Sequence, residues 1–122
     1  MTAAKYCVFC DIGAGRARAD VVREWPDTIA IRAEPGVSAD GHVLVIPRVH
    51  VATALDDCTI AGVVASRAAQ LAVELGWDAL NMIDNVGRAA SQTVMHYHRH
   101  VVRRRVGDGL LLPWPQQAGE QE

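Results

Sequence analysis

Hydrophobic and polar positions change period twice along this chain, and the two changes divide it into three stretches. From residue 20 to 47, short apolar runs alternate with turn residues. The runs at 20–24, 28–34 and His42–Pro47 read as strands; the second is rich in β-branched residues, and the third is the continuous apolar run H-V-L-V-I-P. The segment E-P-G-V-S-A-D-G between the last two carries turn chemistry throughout, which predicts a hairpin or meander. Then the period lengthens to about 3.6. Leu55, Ile60, Val63, Val64, Arg67, Ala68, Leu71 and Leu75 fall on one helical face that only Arg67 interrupts. Asp56 or Asp57 can cap its start, and Gly76 is a natural stop. Past the helix the two-residue period returns. A strand is expected over about 79–84, a loop of small residues over 85–91, and a strand over 93–103. Residues 11–19, D-I-G-A-G-R-A-R-A, read as a loop or a short helix. The sum is an α+β fold, an antiparallel sheet with one main helix, in a single domain over 1–122 whose tail is loosely ordered from about 113. One helix covers only one side of a sheet, so self-association is expected.

Composition narrows the function classes only a little. A net charge of −2 and 21 % charged residues show no basic or acidic bias that would name a nucleic acid as partner. No apolar run is expected to span a membrane, and the N-terminus lacks the apolar core of a signal peptide. Three cysteines, two of them in C-V-F-C, fit a reducing compartment, and the cytoplasm is the expected location.

The chemistry concentrates in H-Y-H-R-H, which sets His96, His98 and His100 at strict two-residue spacing. On a strand these imidazoles share one face, while Tyr97 and Arg99 turn to the other. Same-face neighbours lie roughly 6.5–7 Å apart, so the outer pair is about twice that distance apart, too far to share one metal. At least one imidazole is left as nucleophile, acid or base. A histidine-tag scar would be terminal and contiguous, and this run is neither. Cys7 and Cys10 supply half of a zinc site or a redox pair; zinc is favoured, because the motif opens the chain instead of following a strand. His42 and His50 bracket G-H-V-L-V-I-P-R-V-H. Taken alone, each reads as structural. The loop N-V-G-R-A-A-S-Q-T-V lets backbone N–H groups approach an anion closely.

These motifs, in this order and in register, resemble the histidine-triad nucleotide hydrolase and transferase superfamily. Its signature H-φ-H-φ-H-φ-φ, with φ apolar, reads here H-Y-H-R-H-V-V. The resemblance runs from C-V-F-C through H-V-L-V-I-P-R-V-H and N-x-G-x-x-x-x-Q-T-V to R-R-x-G-D-G. It implies a homodimeric α+β protein that cleaves the α-phosphate of nucleotide conjugates through a covalent nucleotidyl-histidine. It further implies that His98 is the nucleophile, with His100 and His42 at the α-phosphate. Asn85, Gln92 and Thr93 match polar positions around the phosphates and leaving group. Glu34 matches the ribose-binding acid, and Ile31 the wall against the base. Cys7, Cys10, His50 and His96 match the ligands of a structural Zn2+. The stretch R-R-x-G-D-G leans toward the branch that splits dinucleoside polyphosphates and away from adenosine 5'-phosphoramidases.

Three features depart from that pattern. Arg99 replaces an apolar residue, and its charge needs water or an acid. Ala90-Ser91 replaces a glycine-rich turn, so a Cβ at a positive φ would strain the loop. Glu34 is longer than the usual aspartate. The competing readings are a metal-dependent hydrolase ligated by His96 and His98 with water as nucleophile, and a nucleotide-binding regulator without turnover. The expected partner is a nucleotide-type small molecule, with neither nucleic acid nor membrane.

Overall fold

The structure is a computed structural model that describes residues 6–114. The element order is α1 (Val8–Gly13), β1 (Val21–Glu24), β2 (Thr28–Arg32), β3 (His42–Pro47), α2 (Cys58–Leu75), β4 (Leu80–Asp84) and β5 (Arg99–Arg103). The strands form one antiparallel sheet in the order β1-β2-β3-β5-β4. The α+β expectation holds, as do the three early strands, although β2 ends at Arg32 instead of running to 34. Of the expected tail, residues 115–122 lie outside the described residues.

Strand alternation gives the sheet two different faces. Ala30, Val43, Val45 and Val101 point to one side and pack with Val64, Ala68 and Leu71 of α2. Ile29, Ile31 and Ile46 point to the other, where Phe9 and Ile12 of α1 cover them. α2 starts where Asp57 accepts hydrogen bonds from the N–H groups of Thr59 and Ile60, and stops at Gly76 with φ +73°. Leu55 falls outside the helix and is exposed, because the Asp57 cap fixes the first turn two residues after it. Among the described residues, α2 is the one helix that by length and composition would pass for a membrane span, against the expectation that no run does so. It is a core helix for a visible reason. Its inner face packs on the sheet, and along its flank Arg67 and the exposed Glu74 bind Asp27 and Arg23. The guanidinium of Arg67 also lies 5.5 Å over the Trp25 ring, so the one interruption of the apolar face is itself packed.

The largest departure from expectation is the strand over 93–103, of which only Arg99–Arg103 is a strand. The ladder with β3 stops at Val45 opposite Arg99. Before that point the chain is held by the loop that follows β3, where the Tyr97 N–H donates to the Val51 carbonyl at 2.7 Å. His96 and His98 therefore lie just outside the sheet. Tyr97 still turns into the α2 core and the histidines turn away from it, so the alternation survives without the ladder.

Arg99 finds the acid it needed. Its guanidinium donates to both oxygens of Asp84 at 3.1 and 2.8 Å, and Asp84 also accepts the Tyr97 hydroxyl at 3.2 Å. Asp84 and Arg99 are register partners across β4 and β5, which is why the pair can close.

Candidate active site and metal centre

His42 begins β3, and His100 sits on β5 opposite Leu44, so the two rings are diagonal neighbours on the α1 face of the sheet. His42 Nε2 and His100 Nδ1 are 3.0 Å apart. The Val37 N–H donates to His42 Nδ1 at 3.1 Å, which puts the proton of neutral His42 on Nε2. His42 therefore donates to His100 Nδ1, and His100 keeps its proton on Nε2 as a donor. His98 is fixed the other way round. Its Nδ1–H donates to the His96 carbonyl at 2.8 Å, leaving Nε2 as a bare lone pair. One backbone N–H and one backbone carbonyl thus place a nucleophilic nitrogen and a hydrogen-bond donor on rings whose centroids lie 5.1 Å apart.

Electrostatics keep this set neutral. Burial lowers the pKa of His98 and of His42, the latter further opposed by His98. His100 is pushed down to about 4, first by burial and then by His98 and His42. The unfolded chain therefore binds more protons than the folded one from about pH 6.5 down to about 4. Stability contributed by the His42–His100 pair is full above 6.5 and drains away as pH falls through that window. We expect the melting temperature to drop between pH 6.5 and 5, and His100→Gln to flatten part of that slope. A wild-type melting temperature constant over that range would contradict the arrangement.

A second cluster lies beside the first. Cys7, Cys10, His50 and His96 bring one ligand atom each to within 4.8 Å of all the others. Cys7 Sγ and Cys10 Sγ stand 3.3 and 3.5 Å from His96 Nδ1; Cys10 Sγ and His96 Nδ1 stand 3.3 and 3.1 Å from His50 Nδ1. A tetrahedral zinc with ordinary Zn–S and Zn–N bonds sets sulfur–nitrogen edges of about 3.5 Å and nitrogen–nitrogen edges of about 3.3 Å. His96 Nε2 lies 2.8 Å from the Pro47 carbonyl and donates to it, so Nδ1 carries the lone pair a metal needs. The residues present fit such an ion. Burial, and then the neighbouring Cys7, push the Cys10 thiol up to about 11, so a cation entering here must displace protons.

The other expected residues divide into three groups. Ile31 forms the wall of a cavity of about 300 Å³ with Phe9, Ile12 and Leu44, and Glu34 stands exposed on its rim. Asn85 lines a cavity of about 220 Å³ together with His42 and His100. Gln92 and Thr93 are placed differently from the expectation. Gln92 is buried and its amide is spent on the backbone: Oε1 accepts from Gly87 N–H, and Nε2 donates to the carbonyls of Ala52 and Val94. It shapes the loop instead of facing a ligand. Thr93 opens on a separate cavity beside Cys7 and His50. R-R-x-G-D-G closes on itself: Arg104 pairs with Asp108 at 2.7 Å and binds the Leu110 carbonyl, so these side chains hold a turn.

Two participants went unread in the sequence. Phe9 lies edge to face with His98, 5.0 Å between centroids, and its place between the two cysteines was the available signal. The Val37 N–H had none, because any residue type carries it. In the loop, Ser91 does adopt the positive φ the sequence warned of, +70°. Ser91→Gly is expected to raise stability by about 1 kcal/mol, read as the midpoint of urea unfolding.

Comparison with known proteins gives one consistent result. The family model of the HIT domain matches residues 14–107. An uncharacterised HIT-like protein of Mycobacterium tuberculosis is 40 % identical over 87 % of this chain and 76 % of its own. An adenosine 5'-monophosphoramidase of Saccharomyces cerevisiae is 33 % identical over 91 % of this chain and 71 % of its own. Among solved structures, a HIT family hydrolase from Clostridium thermocellum superposes with a TM-score of 0.78 at 28 % identity, over 90 % of this chain and all of its own. A zinc-bound histidine triad family protein from Mycobacterium smegmatis gives 0.70 at 38 % identity, over 93 % of this chain and 86 % of its own.

Proposed function

The chain belongs to the HIT domain family, and from that premise we propose that it hydrolyses nucleoside phosphate conjugates at the α-phosphate through a covalent nucleotidyl-His98. One observation carries the reading: the Nδ1–H of His98 is tied to the His96 carbonyl, so Nε2 presents a lone pair beside the protonated Nε2 of His100.

The nucleoside lies in the apolar cavity walled by Ile31, with its ribose hydroxyls toward Glu34. The phosphates lie toward His42, His98, His100 and Asn85. His98 Nε2 attacks the α-phosphorus, the bond from phosphorus to the leaving group breaks, and that group departs with the electron pair. A neutral imidazole approaches an anionic phosphate without the repulsion a carboxylate meets. The His96 carbonyl, already bonded to Nδ1–H, stabilises the positive charge the ring acquires. The Nε2–H of His100 supplies a donor to the phosphoryl oxygens; removing one such donor costs about 3–4 kcal/mol of transition-state stabilisation. Water then attacks the same phosphorus, the P–N bond breaks, and the nucleoside monophosphate leaves as His98 is restored.

Zinc is the ion that two thiolates and two imidazoles favour, and it would be held by Cys7, Cys10, His50 and His96 as a structural site with all four positions filled. The zinc-bound M. smegmatis relative supports this. His98 stands outside that set, which disfavours a metal hydrolase ligated by His96 and His98. A homodimer through β4 is part of the proposal, since β4 ends the sheet and exposes Met82 and Ile83. So is a reducing compartment, the cytoplasm, which keeps Cys7 and Cys10 free to bind metal.

For the leaving group, dinucleoside polyphosphates of the adenosine type are the first class. Phosphoramidates are the second, and the yeast phosphoramidase relative favours them. Hydrolysis of diadenosine tetraphosphate and of adenosine 5'-phosphoramidate by metal-loaded protein separates the two. Turnover of either with a nucleotidyl adduct on His98 after quench in alkaline denaturant, which spares the acid-labile P–N bond, supports the mechanism. Tight AMP binding without turnover or adduct would leave the silent nucleotide-binding regulator as the correct reading.

A further inference from the structure

We infer that Phe9 is a positioning residue that makes the nucleophile depend on the metal cluster. The inference rests on the reading of His98 as nucleophile. Besides the His100 ring, 5.1 Å away between centroids, two contacts restrain the His98 ring, and both of these come from the segments that build the cluster. One is the His96 carbonyl, 2.8 Å from Nδ1, on a residue whose own ring is a ligand. The other is the Phe9 ring, 5.0 Å from the His98 centroid at 76° and 5.9 Å from the His96 centroid at 85°. Phe9 is buried, and it sits between the two thiols in sequence.

The helix that carries it cannot hold it there alone. α1 has six residues, far below the length at which a helix is stable by itself. Cys7 caps it, its sulfur accepting the Cys10 N–H at 3.3 Å. An ion held by Cys7, Cys10, His50 and His96 would fasten this first turn to the chain after β3 and to the segment before β5. Without an ion, the turn keeps the packing of Phe9, Ile12 and Val8 and the Arg48 bond to the Gly13 carbonyl at its far end, and its cysteine end is held only by the weak thiol–imidazole contacts of Cys7 and Cys10 with His96 and His50. Freed at its cysteine end, the turn releases the Phe9 edge, and the His98 ring can rotate away from the orientation that aims Nε2 at phosphorus. Metal occupancy and nucleophile alignment are then coupled through one aromatic contact.

Phe9 also walls the nucleoside cavity, so the test must separate aligning from walling. Phe9→Leu keeps most of the volume and removes the ring edge, whereas Ile12→Ala opens the same wall without touching His98. Both are loaded with zinc to equal content, and a cobalt-substituted sample of each checks that the ligand set is intact. We expect Phe9→Leu to lower kcat at least tenfold with KM within twofold, and Ile12→Ala to raise KM with kcat kept. Metal removal should lower kcat of the wild type and add nothing further in Phe9→Leu.

A second readout needs no turnover. In protein labelled with ¹⁵N-histidine, the loaded wild type should show His98 as a single tautomer protonated at Nδ1. Metal-free wild type and zinc-loaded Phe9→Leu should both show the averaged signals of a mobile ring. Equal kcat in Phe9→Leu and wild type, or an unaltered His98 signal in the variant, overturns the inference. Absence of turnover in every protein would instead sink the hydrolase reading, and the ring signals would still decide the role of Phe9.

Discussion

Replacing His98 by alanine is expected to lower kcat for any nucleoside phosphate conjugate by at least about 10⁴-fold, the range found when a nucleophile is deleted from a covalent mechanism. Nothing nearby can take over. His42 Nε2–H is committed to His100 Nδ1, and His100 presents a proton on Nε2 where attack needs a lone pair. His98 does not line the cavity proposed for the nucleoside, which is walled by Phe9, Ile12, Ile31 and Leu44, so AMP should still bind to His98→Ala within a few-fold. Single-turnover kinetics and titration calorimetry on the same preparations make the comparison. A loss of tenfold or less would mean that water attacks directly and that His98 only stabilises charge. His100→Ala should fall between the two, since it removes one donor and leaves the nucleophile.

Stripping the metal, or making Cys10→Ser, is expected to lower the melting temperature by about 10 °C or more, where about 1 kcal/mol moves a domain of this size by about 3–5 °C. Structural zinc contributes about 10–16 kcal/mol in peptides that have no core of their own. Here both sheet faces are packed, so only part of such a contribution should appear as stability. That part should be large because an ion held by these four residues would join three segments distant in sequence: the first turn of α1, the loop after β3, and the turn before β5. Cys58 supplies the control. It is exposed and outside the cluster, so Cys58→Ser should move the transition by no more than about 1 °C. A chelated protein that melts with the loaded one would show that no ion is bound at these four residues.

Much of this molecule could be read in advance, and the successes and failures have separable causes. The early strands and the long helix were legible because period, cap and stop are local properties: Asp57 and Gly76 end α2 wherever the rest of the chain goes. The four-residue metal cluster came from a resemblance and not from spacing, since nothing in C-V-F-C names the histidines that complete it. The strand through His96 failed for a tertiary reason. Residues 93–98 alternate as a strand should, but the ladder partner available to Tyr97 is the loop at Val51 and not β3. The surroundings of Gln92 were hidden for the same kind of reason: a polar residue in a phosphate-like loop is met by three backbone groups, and no local pattern announces them. Arg99 came out well because the sequence stated the requirement, an acid, and the β4–β5 register supplied Asp84.

By itself the sequence determined the chemistry carried by H-Y-H-R-H and C-V-F-C, the face on which each histidine would lie, and the elements that would carry them. Those follow from side-chain identity and from periods of two and 3.6 residues, which act over a few positions. Tertiary structure alone decided which nitrogen of each imidazole holds the proton, and therefore which ring presents a lone pair and which presents a donor. The neutral tautomers of an imidazole are chemically close to even in water. What separates them here are the Val37 N–H and the carbonyls of His96 and Pro47. These backbone groups carry no mark in the sequence, and long-range folding alone brings them within about 3 Å of the rings.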